Sequence, residues 1–130
     1  MNMNKAIKLF VGVLSLISVV AHAADFKTQL NGKDLVMDGA NCAGISLKKN
    51  SGLKGEMGNT PPCSVDLPAR LKWINESTFV MVEKNKTNDT SPPRVYLYKV
   101  KSIKGNQVVL TEVWTGWNDF PDDEVTYTIQ

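Results

Sequence analysis

The densest gathering of chemistry-bearing side chains lies near the C-terminus, where Trp114, Trp117 and Phe120 are interleaved with Asp119, Asp122, Asp123 and Glu124. Two kinds of chemistry suit such a stretch. Hard oxygen ligands grouped on one loop, here Asn118, Asp119, Asp122 and Asp123, are what a calcium ion takes, but their spacing is not that of an EF-hand loop. A protein-binding loop needs large aromatics that lose water in a partner's pocket and charged groups at the rim that select the partner. Both are present. The reading adopted is a partner-contacting segment made of Trp117, Asn118, Asp119, Phe120, Asp122, Asp123 and Glu124, with no metal and no cofactor. Trp114 falls at the end of a strand pattern and is expected in the core, while Trp117 and Phe120 stay open between core and interface anchor.

Charge narrows the partner. Residues 1–23 read as a secretory signal: Lys5 and Lys8 precede a mostly apolar run over residues 9–20, and Ala21-His22-Ala23 has the small residues a signal peptidase reads. The run is shorter than the roughly 20 residues of a membrane-spanning helix, and no Cys follows the cleavage point to carry a lipid. The mature chain is then a single soluble domain over residues 24–130, in the periplasm, without a membrane anchor. It has 13 basic and 13 acidic residues, so a globally basic surface for nucleic acid is not supported. The charges are unevenly placed: no Lys or Arg follows Lys104, whereas Glu112, Asp119, Asp122, Asp123 and Glu124 all do. Lys48, Lys49 and Lys54 form a basic group in the first half, the alternative candidate for an interface.

Enzyme chemistry is poorly supplied. His22 is the only histidine and leaves with the signal, which removes Ser-His-Asp and Cys-His arrangements and the commonest zinc ligand. No catalytic residue is assigned and the chain is read as a non-enzyme. Cys42 and Cys63 enter an oxidising compartment and are expected to be bonded to each other, stapling a stretch rich in Gly and Pro. Asn75, Asn85 and Asn88 begin Asn-x-Ser/Thr triplets; beside a bacterial-type signal they read as polar loop residues.

The elements that must position these groups are strands. Leu67, Ala69, Leu71 and Trp73 alternate with polar or outward positions, as do Tyr96, Tyr98 and Val100, and finally Val125, Tyr127 and Ile129. Residues 79–83 read as a short apolar strand, residues 85–93 as a loop, and Lys104-Gly105-Asn106 as the turn of a hairpin joining residues 94–103 to 107–115. Upstream, residues 26–30 and 34–37 suggest an opening hairpin around Asn31-Gly32, residues 42–47 a further strand, and residues 51–64 an irregular stapled loop. This is an all-β protein, a small antiparallel barrel or a two-sheet sandwich with a C-terminal meander. Leu71, Trp73, Phe79, Val100, Leu110 and Val125 are expected among its buried residues.

In its small, secreted, single-disulfide, all-β and histidine-free design the mature chain resembles the periplasmic immunity proteins of type VI secretion effectors and, more loosely, bacterial lysozyme inhibitors. The resemblance spans the mature chain and is one of design rather than of motif. It implies a protein partner, a secreted effector or lysozyme-like enzyme that cuts the cell wall, neutralised by occlusion of its cleft; a homodimer stays open. The alternative is a barrel carrying a small apolar ligand.

Overall fold

The structure is a computed structural model that describes residues 24–130; the expected signal segment lies outside the described residues. Among the described residues one short helix, α1 (Phe26–Leu30), is followed by eight strands: β1 (Asp34–Met37), β2 (Gly44–Ser46), β3 (Gly52–Lys54), β4 (Leu67–Trp73), β5 (Thr78–Glu83), β6 (Val95–Lys104), β7 (Gln107–Val113) and β8 (Asp123–Ile129). Each strand pairs antiparallel with the next, and β1 pairs with β8, closing a barrel. Of the two architectures the sequence allows, the barrel is the one formed. Closure leaves no open sheet edge.

Eight strands enclose an interior just wide enough for side chains to fill. Alternation decides which do so. On β5, Phe79, Met81 and Glu83 are buried while Thr78, Val80 and Val82 are only half-buried, and on β7 Val108 and Leu110 point inward. Phe79 lies against Trp73 and Tyr98, with ring centroids 4.9 and 5.1 Å apart. Of the six residues expected inside, Phe79, Val100 and Leu110 are fully buried, and Leu71, Trp73 and Val125 are half-buried against the same core.

On β6 the register slips between Val100 and Ser102, which pair with Leu110 and Val109, so Lys101 has no partner opposite it. A bulge of this kind resets the alternation. Ile103 consequently faces the core, and Lys101 projects outward to Glu124 on β8, 2.7 Å from its carboxylate.

Two expectations are corrected. Residues 26–30 are helix, not strand. Phe26 and Leu30 are four apart, a spacing that satisfies both a two-residue and a 3.6-residue period. Asp25 decides the matter by capping: its carboxylate accepts from Thr28 N at 2.9 Å. The single turn lays Phe26 and Leu30 on the core, and Lys27 N donates to Glu76 O in the β4–β5 connection at 2.9 Å. The stapled segment is also less irregular than expected, because β3 forms within it, held between β2 and β4 rather than by its own composition.

Candidate functional site

An up-and-down barrel sorts its connections onto two ends. The odd-to-even connections, residues 38–43, 55–66, 84–94 and 114–122, share one of them. There the disulfide forms as expected, Cys42 to Cys63, with Cα atoms 5.4 Å apart. It ties the β3–β4 connection to the β1–β2 connection. Glu56 makes a second tie: its carboxylate accepts from the backbone N–H groups of Asn41, Cys42 and Ala43 at 2.9, 2.7 and 2.8 Å. These bonds, Ala43 foremost, then Cys42 and Asn41, hold the Glu56 carboxyl below its ordinary value.

The β7–β8 connection is built around Trp114. The pattern places Trp114 in a core strand, but β7 ends at Val113 and the indole is 44% exposed. The reason is local. Trp114 N donates to Asp122 Oδ1 at 2.8 Å instead of continuing the ladder, and its Nε1 donates to Asn118 O at 2.9 Å. The ring meets Phe120 edge-on, centroids 5.1 Å apart, and covers Gly116, where any Cβ would collide with the indole. Asn118 takes a positive φ of 73°, which asparagine tolerates better than most residues. Thr115 Oγ1 donates to Val95 O at 3.1 Å and fastens the loop to β6.

This framework turns two aromatics outward. Trp117 is 93% exposed and Phe120 58%. Of the acidic residues, Asp119 is exposed on the loop, Asp122 is engaged by Trp114 N, and Asp123 and Glu124 belong to β8 rather than to the loop. Glu124 is not unopposed, since the β6 bulge brings Lys101 to it. Among the described residues no group of three or more His, Cys, Asp or Glu side chains is gathered closely enough to hold a metal ion. A cleft of about 520 Å³ runs between this loop and residues 92–95, lined by Pro93, Arg94, Tyr96, Glu112, Trp114 and Trp117 among others.

Glu112, which the sequence places only among the acidic residues after Lys104, is given its position by alternation with Val108 and Leu110. It faces inward at the barrel mouth and pairs across the ladder with Asp123. Burial, then the Asp123 charge, pushes its carboxyl upward. Burial and the Glu112 charge in turn push the Tyr127 hydroxyl up to about 12. A raised carboxyl adds stability that is present below the ordinary glutamate value of 4.5 and lost as pH rises through the folded value. Glu112→Gln should therefore melt above the wild type at neutral pH, with the gap closing in acid. Melting curves across that range check it, and a gap independent of pH would refute the assignment.

Lys48 and Lys49 lie in the β2–β3 connection and Lys54 at the end of β3, so the basic group is on a different part of the barrel from the aromatic loop. Asn75 and Asn88 are used locally: Asn75 Oδ1 accepts from Ser77 N at 2.9 Å, and Asn88 Oδ1 from Thr90 N at 3.0 Å and Ser91 N at 2.8 Å. Such turns are the usual work of Asn in loops.

The class that emerges is a closed eight-stranded β-barrel with a side-chain-filled interior and an aromatic, acidic loop at one end. Compared with family models, with curated proteins and with solved structures, the chain matches none.

Proposed function

We propose that this chain is a periplasmic inhibitor of the immunity type, which binds a cell-wall-degrading effector or lysozyme-like enzyme and blocks its active-site cleft. The observation that carries the reading is Trp117, a large apolar ring almost wholly in solvent on a loop held by the Trp114 backbone N–H and the side chains of Thr115 and Asp122. An exposed aromatic on a pre-organised loop gives binding area without the ordering cost of a floppy segment. Phe120 stands beside it, and Asp119 supplies a charge positioned to steer encounter with a basic rim. The filled interior favours a partner met on the outside over a small ligand held within: Leu35, Ile45, Phe79, Met81 and Leu110 occupy the barrel.

The test is inhibition of wall hydrolysis by purified muramidases, amidases and endopeptidases in the presence of the mature chain. Against the enzyme it blocks, Trp117→Ala should weaken affinity by about 2 kcal/mol or more, roughly thirtyfold, through faster dissociation. Its melting temperature should hardly move, because the ring makes little contact with the barrel. Asp119→Asn should mainly slow association and flatten its salt dependence. Phe120→Ala needs a melting curve beside the affinity, since Phe120 also supports Trp114. Normal binding by folded Trp117→Ala and Phe120→Ala variants would remove this loop from the interface.

A further inference from the structure

The outer wall of β1 to β5 carries a second feature, independent of the aromatic loop. Asp34 pairs with Ser46, Ser46 with Gly52 and Gly52 with Pro68, and Lys84 N donates to Pro68 O at 3.0 Å. Positions 34, 46, 52 and 68 on β1 to β4, with position 84 just past the end of β5, thus form one row. Their chain neighbours Leu35, Ile45, Leu53, Ala69 and Glu83 are core-packed or buried, so alternation turns the row outward. Lys54 shares that outward parity two residues along β3, yet its side chain is only 4% exposed. Its Nζ lies 3.3 Å from Asp34 Oδ2, and Lys48 Nζ lies 2.9 Å from the same oxygen.

One carboxylate therefore serves two ammonium groups. The groove over this row, about 650 Å³, is lined in addition by Lys49 and Lys84, so four cations meet one anion there. A neighbouring hollow of about 470 Å³ shares Lys48, Lys49 and Lys84 and adds Arg70, with no acidic residue in its wall. This excess is local. The mature chain as a whole is balanced, and these cations come from positions 48–54, 70 and 84. The concave walls, which include the apolar Val65 and Pro68, focus the positive field. A lysine buried beyond nine-tenths, left with half of a carboxylate and faced by further lysines, is a place where an incoming anion relieves repulsion and gains charge-assisted hydrogen bonds.

We propose that this groove is a binding site for a compact anion bearing two or more negative charges on phosphate or carboxylate oxygens, received by Lys54, Lys48 and Lys84, with Lys49 at the edge. The test is titration of the mature chain with inorganic pyrophosphate and with citrate, read by calorimetry and by melting temperature against sodium chloride at matched ionic strength. Saturable binding is expected, with a rise in melting temperature that chloride does not reproduce. Lys84→Ala and Lys49→Ala change exposed side chains and leave the Lys54–Asp34 pair intact; Lys84→Ala should weaken binding by about tenfold. The Lys49→Glu/Lys84→Glu double variant should abolish it, and Trp117→Ala should leave it unchanged. Tighter binding of pyrophosphate would assign a phosphate ligand, and tighter binding of citrate a carboxylate one. No response beyond that of chloride, or a response that survives the double charge reversal in a folded variant, would overturn the proposal. Because Trp117→Ala does not touch this groove, failure here leaves the inhibitor reading standing, and the converse holds.

Discussion

Phe79→Ala should destabilise the barrel by about 3–5 kcal/mol, in a domain whose total stability is on the order of 5–15 kcal/mol. Phe79 is fully buried and, among the described residues, is the largest side chain so placed. It bridges Trp73 on β4 and Tyr98 on β6, so its removal leaves a hole that two further rings border and that neither strand can fill by sliding along a closed ladder. Dispersion contacts and apolar burial are lost together. The control lies one residue away. Val80 belongs to the same strand but has the opposite parity and is half-buried, so Val80→Ala should cost about 1 kcal/mol or less. Urea unfolding of both variants gives the comparison. Equal losses at the two positions would mean that β5 does not present alternate residues to the interior, and the register of β4 to β6 would have to be redrawn.

Strands β4 to β8 are legible in the amino-acid sequence and β3 is not, a difference that comes down to where the information resides. In Leu67–Trp73 and Asp123–Ile129 the side chains themselves alternate, since each strand has one face on the core. β3 is three residues including a glycine, and its strand character is imposed by hydrogen bonds to β2 and β4. For α1 the pattern is ambiguous in principle, and only the Asp25 cap separates helix from strand. The aromatic loop is legible from composition, but the roles within it are not. That Asp122 stops β7 at Val113, or that Glu124 meets Lys101, depends on pairings eight and 23 positions apart. The basic groove is further from view still. Asp34, Lys54 and Lys84 share it only because the register of β1 to β4 and the Lys84–Pro68 hydrogen bond bring distant positions to one outer face.

The second large effect concerns the staple. Cys42→Ser, or reduction of the native bond, should cost about 3 kcal/mol, because the 21-residue separation of Cys42 and Cys63 sets the entropy regained by the unfolded chain. The loss is moderated by Glu56, which holds the same β1–β2 connection through three backbone N–H groups. Two ties on one segment do not act independently. With the disulfide intact, Glu56→Gln should lower the melting temperature at neutral pH. The sign follows from the depressed carboxyl: its contribution is present above the ordinary glutamate value of 4.5 and is lost as pH falls through the folded value. In the Cys42→Ser background the same substitution should do more harm, since the carboxylate is then the remaining tie, and the melting temperature of Cys42→Ser should fall more steeply with acid than that of the wild type. Strict additivity of the two substitutions, or a Glu56→Gln defect equal at neutral and acidic pH, would show that the carboxylate does not hold the loop. Partner binding is the separating measurement. The staple fastens residues 38–43 to residues 55–66, whereas Trp117 is carried by the β7–β8 connection, so Cys42→Ser assayed well below its melting point should retain the affinity that Trp117→Ala loses.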